Sequence, residues 1–570
     1  MDCGTHWTRK APSTAAAACG LPWAAASASG SHLPGMQPAQ LQSVFNPGAQ
    51  TIINMNTASQ TPRQARRLER RESRSGVALL QHSAAVPVNP WPPVALLAAD
   101  QLQALHAASR RTLREGGLRS LDAGGLQLWQ AAGARVDHAG SHVWIEEELL
   151  QQLLATAPQE FVWRARNPQR SLRVGGNSIA FGPSGGMVYV TDLERGRRVG
   201  DSADYENLLR LTHMLPMLHF GNWEQVTAQD EPVSTRHLRR LYAGFTLSDK
   251  AMLEGAQGRI ITADAVEMAR IAFGGTLPAE PVIGDVINVN SPLTYDDRML
   301  GGLITYARAG QVCIITPFIL AGAMSPISIA AALAQQNAEA LAGIALTQLV
   351  RPGAPVVYGG FTTNTDMRSG SPAFGTPEGA WALLAGAQLA RHYRLPYRGS
   401  GSLTSSKLAD AQGATETMWN LWPCVLGHAN LVMHAAGWLE GGLTVSFEKL
   451  MIDAEQLAMF AHFLRGFPID DSSLALESIA AVGPGGHHFG TAHTQARFDS
   501  EFFATALADR SGYDSWLAGG GHDTAQRAHG MWRQLLAQYS EPPMDPALRE
   551  ELRAYVARRS LELRDVQLFY

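Results

Sequence analysis

Four aromatic side chains stand at or just after the ends of strand-like segments, namely Trp223, Tyr358, Phe361 and Phe374. An aromatic face attracts a cation such as a quaternary ammonium by about 0.5 to 2 kcal/mol, depending on how far the pair is desolvated. Large rings at strand ends are also typical of ordinary core packing. The spacing therefore leaves two interpretations open: an aromatic cage for a methylated cation, or part of the core.

A second candidate is the stretch GSGSLTSSKLADAQGATE at 399–416, where a Gly/Ser cluster precedes a predicted helix. Small residues allow the backbone to approach a ligand closely. Asp410, Gln412 and Glu416 then fall in the first turns of the helix, where carboxylates are favoured by the helix dipole. The amide side chain of Asn288 lies near the end of another predicted strand. Together these residues indicate a polar binding loop beside the aromatic side chains.

Other chemistries fit the sequence less well. His487, His488 and His493 lie close together in GGHHFGTAHT, but zinc sites usually show tighter helical or CxxC spacings, so the prediction is no metal and a loop that packs through its histidines. No G-x-S-x-G elbow supports a Ser/His/Asp triad. A Gly-rich loop can hold a phosphate at a helix N-terminus, but Arg and Lys are scarce here and Asp410 would repel a phosphate.

Alternating strands and helices must position these residues. The predicted strands are 218–224, 243–249, 282–289, 312–318, 355–361, 395–401 and 443–448. The predicted helices are 262–274, 296–309, 327–350, 377–394, 410–437 and 453–465. Continuous apolar strands are typical of a parallel sheet buried on both faces. Roughly eight β/α units predict an α/β fold, a (β/α)8 TIM-type barrel, with an open doubly wound sheet as the alternative.

The chain divides into four predicted parts. Residues 1–85 read as a disordered low-complexity tail, with a mis-assigned start codon or a transit peptide as the alternatives. Residues 95–200 form an N-terminal helical extension with a small β element, built from FVWRAR, LRVGG, SIAFG and MVYVTD. The barrel occupies 201–480, and a C-terminal helical segment occupies 481–570.

The net charge, the apolar segments and the cysteines indicate which partners and which cellular compartment to expect. The net charge of −4 gives no reason to expect nucleic acid or an anionic membrane as a partner. No segment reaches the ~18 apolar residues that a membrane helix needs. The four cysteines form no CxxC pair, which favours buried thiols in a reducing cytoplasm. Cytoplasmic localisation is the prediction.

Long blocks of the chain resemble the trimethylamine methyltransferase family, the corrinoid-dependent methylamine methyltransferases. The blocks occur in the family's order over residues 95–540: LHAASRRTLREGG, NVNSPLTYDDRML, AGAMSPISIAAALAQQNAEALAGIALTQLVRPGAPVVYGGF, GTPEGAWALLAGAQLARHYRLPYRGSGSLTSSKLADAQGATE and HHFGTAHTQARFDSEFFATALADRSGYDSW. The resemblance implies a TIM-type barrel that passes a methyl group from a methylated amine to the cobalt of a separate small corrinoid protein. It also implies cobalamin as a cofactor that the partner carries, with none bound covalently here.

The family's trimethylamine enzymes carry pyrrolysine in or near the segment that reads TSSKLADAQ here, whereas this chain has ordinary residues there. In that respect it is similar to glycine betaine methyltransferases. The resemblance then implies that Ser400, Thr404 and Ser405 bind a substrate carboxylate. Asp410, Gln412 and Glu416 would position the loop, or would only cap the helix and keep its surface soluble. Lys407 would pair with that carboxylate or with Asp410.

The resulting prediction is a methyltransferase that moves a methyl group from a quaternary amine, glycine betaine or similar, to a corrinoid protein. A tertiary-amine (trimethylamine) methyltransferase is the alternative within the family. From other classes, a metal-dependent barrel hydrolase or lyase and a non-catalytic amine-binding barrel stay open. A homo-oligomer is expected.

Overall fold

The computed structural model describes residues 79–80, 82–221 and 224–568. They belong to the second of two compact units, Arg66–Tyr570, while the first unit, Met1–Ala65, lies outside the described residues. The predicted tail at 1–85 falls almost entirely on residues that are not described, and it stays a prediction.

Eight parallel strands form the central sheet. In chain order they are β1 (Ala180–Phe181), β2 (Phe220–Gly221), β3 (Ala251–Leu253), β4 (Ile283–Val289), β5 (Val312–Ala321), β6 (Val356–Gly359), β7 (Tyr397–Ser400) and β8 (Leu431–Met433). Each strand from β2 to β7 pairs with the next, and β8 pairs with β1. This order is that of a (β/α)8 barrel, and the predicted fold class is confirmed.

The barrel closes between β1 and β2 through His219, the residue before β2. The His219 backbone N–H donates to the Phe181 carbonyl at 2.7 Å, and the Phe181 backbone N–H donates to His219 Nδ1 at 3.1 Å. Burial lowers the pKa of His219 to about 3, so the ring stays neutral and can accept this bond. A Cβ at Gly182 would collide with the Phe220 ring, so glycine allows the two strand ends to approach.

A β-hairpin plugs the amino end of the barrel. Its strands are Phe161–Trp163 and Leu172–Val174, and they pair antiparallel. Trp163, fully buried, packs in one apolar cluster with side chains that point into the barrel, including Val286, Ile314 and Met433. The barrel interior is therefore a packed apolar floor below its carboxyl end.

Helices surround the sheet and follow the strands. Their bounds are Ala99–Arg111, Ala123–Ala131, Glu147–Leu154, Ser202–Met214, Arg236–Leu247, Arg259–Ala272, Asp297–Ala309, Ile329–Val350, Pro377–His392, Ala411–Leu426, Phe447–Arg465, Asp471–Leu474, Leu476–Val482, Ala492–Arg497, Tyr513–Ala518, Thr524–Ala537 and Pro546–Glu562. Local signals set several of their ends: Asp410 caps Ala411–Leu426 by accepting from the Gly413 N–H at 2.9 Å. Along the described part of the chain, no helix has the length and apolar character needed to cross a membrane.

Two smaller sheets flank the barrel. One joins Leu118–Ser120, Arg135–Asp137, His142–Trp144 and Thr294–Tyr295. The other joins Tyr189–Thr191, Arg198–Val199, Trp438–Leu439 and Thr444–Ser446. In addition, Phe361–Thr365 extends the edge of β5 beyond the barrel and pairs with Pro372–Ala373.

Three sequence-based assignments differ from the structure. Residues 243–249, predicted as a strand, mostly belong to helix Arg236–Leu247, because a short apolar run fits a buried helix face as well as a strand. The predicted helix 410–437 ends at Leu426, and its last part contains barrel strand β8. The predicted strand 443–448 is shorter and pairs with Tyr189–Thr191 outside the barrel.

The first barrel strand also lies earlier than expected. Strand β1 comes from the SIAFG segment, which the sequence assigns to the small β element of the N-terminal extension. The division of the chain at 95–200, 201–480 and 481–570 otherwise stays a prediction.

Candidate active site

Five rings meet at the carboxyl end of the barrel; we call Phe318, Phe361, Phe374, His434 and Trp438 the ring cluster. Phe361 is central: its ring centroid lies 4.9 Å from that of Phe318, 6.1 Å from Phe374, 5.4 Å from His434 and 6.2 Å from Trp438. Trp438 stands edge-on to His434 at 4.6 Å and to Phe374 at 5.4 Å. The ring cluster can therefore offer both ring faces and edges to one small ligand.

Strand geometry brings these rings together. Phe318 lies on β5, and its register partner Phe361 begins the strand that extends beyond β6. His434 directly follows β8, with φ at 51°, and Trp438 begins the next short strand. The carboxyl ends of parallel strands meet at one end of a barrel, so residues far apart in sequence converge there.

The barrel is open to solvent beside the ring cluster. Asn288 points inward on β4, on the same face as Gly284 and Val286, yet it is exposed. Phe318 and Phe361 are only partly buried, whereas Phe374, His434 and Trp438 are buried. The accessible face of the cluster is thus formed by Phe318 and Phe361, next to Asn288.

His434 is an uncharged member of the ring cluster. Burial, and secondarily the positive charge of Arg398, hold the pKa of His434 well below its usual 6.5. At neutral pH the imidazole therefore adds an aromatic surface without adding a positive charge. A cation placed against the rings meets no repulsion from this side chain.

Arg398 lies beside the ring cluster, inside the barrel. Its guanidinium carbon is 4.9 Å from the Phe361 ring centroid, and its side chain is 1% exposed. Nε donates to Met433 Sδ at 3.2 Å, and Nη1 donates to the Gly360 carbonyl at 3.2 Å. Burial lowers the pKa of Arg398 from 12.5 to about 10, so the group remains a cation at neutral pH.

The loop after β7 contains the three predicted hydroxyl groups. Ser400 is fully buried on the same face of β7 as Arg398, and its Oγ has no hydrogen-bond partner among the described residues. Thr404 Oγ1 donates to Glu416 Oε2 at 2.5 Å, and the Ser405 backbone N–H donates to the same oxygen at 2.8 Å. Of the three hydroxyls, only that of Ser400 is left unengaged within the barrel.

The predicted loop-positioning residues are mainly bound within the loop. Lys407 is exposed and donates to the Ser405 carbonyl at 2.9 Å. Asp410 accepts from Ser406 Oγ at 2.8 Å, and its bond from the Gly413 N–H keeps its pKa below the usual 3.8. Gln412 Nε2 donates to Glu416 Oε1 at 2.9 Å. Their contacts hold the loop against the helix that follows it.

One of the four predicted cage residues, Tyr358, does not join the ring cluster. Tyr358 faces away from the barrel interior: its hydroxyl donates to Asn337 Oδ1 at 3.1 Å and accepts from Gln336 Nε2 at 3.4 Å, both on helix Ile329–Val350. Trp223 lies outside the described residues. Phe361 and Phe374 are brought together as the sequence predicts.

The histidines considered as metal ligands stand apart from this site. His487 and His488 are exposed, and His488 Nδ1 lies 3.4 Å from Ser478 Oγ. Within residues 79–80, 82–221 and 224–568, no three His, Cys, Asp or Glu side chains are grouped so that they could hold a metal ion.

Sequence reasoning missed Arg398, His434 and Trp438. His434 and Trp438 follow β8, which the helix prediction for 410–437 concealed. A signal for Arg398 was present, because it is the only charged residue in the predicted apolar strand 395–401. A charge inside such a strand is rarely placed there for stability.

Comparison with known proteins shows the family of the whole chain. The model of the trimethylamine methyltransferase (MTTB) family matches residues 63–564. Glycine betaine methyltransferase of Desulfitobacterium hafniense is 39% identical over 82% of this chain and 98% of its own length. Trimethylamine methyltransferase MttB of the same species is 29% identical over 80% of this chain and 92% of its own length.

A solved structure, monomethylamine methyltransferase of Methanosarcina barkeri, is 12% identical over 82% of this chain and 93% of its own, with a TM-score of 0.42. The match to the family model and the identity to curated relatives each extend over most of the chain. The chain is a methyltransferase, and it belongs to the trimethylamine methyltransferase family.

Proposed function

We propose that this methyltransferase takes a methyl group from a quaternary amine, glycine betaine or a close relative, and delivers it to a corrinoid protein. The ring cluster carries the proposal. Its side chains are uncharged, they surround Phe361 within 6.2 Å, and they adjoin an opening to solvent. Such a surface binds a methylated ammonium through the ring faces and excludes water from its methyl groups.

The chemistry of the leaving group favours a quaternary donor. As the methyl carbon is transferred, the C–N bond breaks and its electron pair returns to nitrogen, which leaves as a neutral tertiary amine. No proton is needed, and the positive charge on nitrogen disappears. Strong ionic stabilisation of that cation would be lost in the transition state and would slow transfer. Neutral rings bind the cation with a weaker interaction that costs less when the charge disappears.

A tertiary amine would instead need protonation or another electrophile before its departure. His434 is the titratable member of the ring cluster, and its pKa lies well below 6.5, so at neutral pH it carries no proton to donate as an imidazolium. The residues around the rings therefore position the donor and exclude water, and they do not act as a general acid.

The corrinoid reaches the site from outside the chain. When bound, its reduced cobalt supplies the nucleophile that accepts the methyl group. Exposure of the inward-facing Asn288 supports this arrangement, because it leaves the carboxyl end of the barrel accessible beside Phe318 and Phe361. We propose that the small corrinoid protein docks over this end, so that this chain needs no cofactor of its own.

Glycine betaine is proposed as the donor because the relative that is 39% identical over nearly its whole length is named glycine betaine methyltransferase. Ordinary residues in TSSKLADAQ agree with that choice. Among the predicted contact residues, Phe361, Phe374, Ser400 and Asn288 lie at or near the carboxyl end, and His434 and Trp438 join them.

Phe361→Ala tests the ring cluster. We expect the Kd for glycine betaine, measured by calorimetry, to rise about threefold to thirtyfold, because the central ring face is lost. Phe463→Ala is the matched control: Phe463 packs against Trp91 and Trp422, which are not part of the ring cluster. Equal affinity in wild type and Phe361→Ala would contradict the proposal, as would a wild type that binds trimethylammonium but no quaternary amine.

A further inference from the structure

Arg398 is a buried cation whose hydrogen bonds do not neutralise it. Its two protein acceptors are a thioether sulfur and one backbone carbonyl. Nη2 has no hydrogen-bond partner among the described residues, and no carboxylate in that part of the chain forms an ion pair with Arg398. Taking a guanidinium out of water without an anion costs free energy, and an apolar side chain of similar size would pack here without that cost.

The surroundings of Arg398 indicate which kind of ligand would compensate its buried positive charge. The guanidinium reaches toward the carboxyl end of the barrel, because Nη1 donates to the carbonyl of Gly360, which follows β6, and the Phe361 ring lies beside it. Ser400, two residues along the same strand face, adds a buried hydroxyl without a partner. A planar fork of N–H donors beside a hydroxyl is suited to a carboxylate.

The same guanidinium lies 4.9 Å from the Phe361 ring centroid. A ligand that places an ammonium against the ring cluster therefore has Arg398 within reach of a group one or two bonds away. Thr404 and Ser405, the other hydroxyls predicted to bind the carboxylate, are engaged by Glu416 and by the Phe374 N–H. Arg398 is thus better placed for an anion than those two residues.

We propose that Arg398, assisted by Ser400, is the carboxylate-binding residue that restricts this enzyme to betaines, compounds with a quaternary ammonium and a carboxylate a short distance apart. This inference rests on the proposed function for the ammonium half of the ligand. The carboxylate is anchored at Arg398 and the ammonium at the rings, so both ends of the donor are fixed. Quaternary amines without a carboxylate, such as choline and tetramethylammonium, lack the first anchor.

The test uses calorimetry to compare the affinities of ligands that carry the ammonium, the carboxylate or both. Glycine betaine has both groups, tetramethylammonium has only the cation, and tert-butylacetate has the carboxylate with an uncharged group of the same shape. Wild type is expected to bind glycine betaine at least about thirtyfold more tightly than choline, the value of one charged hydrogen-bonded contact. Arg398→Met is expected to lose most of that ratio and all measurable binding of tert-butylacetate, while tetramethylammonium binds at least as tightly as to wild type, because the guanidinium charge that repels it is removed.

Arg391→Met is the matched control, because Arg391 is a second arginine that donates to backbone carbonyls, here of Gly427 and Val94. It should bind all three ligands as wild type does. Arg398→Lys, which keeps the charge but loses the fork, should fall between wild type and Arg398→Met. Melting temperatures of each variant show whether it is folded.

Equal affinity of wild type for choline and glycine betaine would overturn the inference without any variant. An Arg398→Met enzyme that loses tetramethylammonium and glycine betaine in equal proportion would also overturn it. Failure of the proposed function has a different signature: wild type would bind glycine betaine and tert-butylacetate through Arg398 but transfer no methyl group.

Discussion

We propose that single side chains in this site divide the recognition of one small zwitterion between them. Phe361 and its neighbours supply uncharged faces, while Arg398 supplies one fixed positive charge 4.9 Å from the Phe361 centroid. A cationic ligand would be repelled by that charge unless it carried its own anion. The pairing of neutral rings with a buried guanidinium would therefore select betaines more strictly than either feature alone.

The neutrality of His434 makes a prediction about pH. A protonated imidazole would repel the ammonium, so protonation would weaken binding as the pH falls through the pKa. Because burial and Arg398 place that pKa well below 6.5, we expect the Kd for glycine betaine to stay constant between about pH 6 and about pH 8. Calorimetry across that range checks this. An inflection near 6.5 that disappears in His434→Gln would show that the histidine titrates and would contradict the account.

At the scale of elements, the loop between β7 and helix Ala411–Leu426 is held by Glu416. This carboxylate accepts from Thr404, Ser405 and Gln412, and Ser405 Oγ in turn accepts from the Phe374 N–H at 3.2 Å. We therefore expect Glu416 to position the Phe374 side of the ring cluster, to which it is linked by way of Ser405.

We expect Glu416→Gln to lower the free energy of unfolding by about 1 to 3 kcal/mol, because an amide cannot accept all three of these bonds. The KM for glycine betaine should rise while kcat stays near the wild-type value, because the loop loosens the rings and leaves the reacting carbon unchanged. Gln412→Ala, which removes only the exposed donor, is the control and should behave as wild type. Loss of stability with an unchanged KM would show that Glu416 only stabilises the fold.

The sequence predicts a strand well when it is a long apolar run between clear helices, and it predicts a short strand close to a helix end poorly. Strands β4 and β5 are predicted closely because each is a long apolar run between clear helices. Strand β8 is missed because only four residues separate it from the end of the preceding helix at Leu426. At the site, Tyr358 shows why a position at a strand end does not by itself predict a binding residue. Side chains alternate along β6, so Val357 and Gly359 face the barrel interior and Tyr358 faces the helix outside it.

At the scale of the whole molecule, the barrel is closed at one end and open at the other. The hairpin Phe161–Val174 seals the amino end, and Asn288 is exposed at the carboxyl end. The carboxyl end is therefore where we propose that a methyl acceptor carried by another protein approaches. Large apolar side chains also stay exposed in 467–517, among them Phe467, Phe489 and Phe502 at 80% or more. The expected homo-oligomer stays a prediction.

The most direct measurement follows isotope-labelled methyl groups of glycine betaine in an anaerobic reaction with the wild-type enzyme and a reduced corrinoid protein. We expect label to appear on the corrinoid in equal amount to the dimethylglycine released, and we expect no such transfer from trimethylamine. Transfer from trimethylamine with glycine betaine left intact would contradict the proposed function.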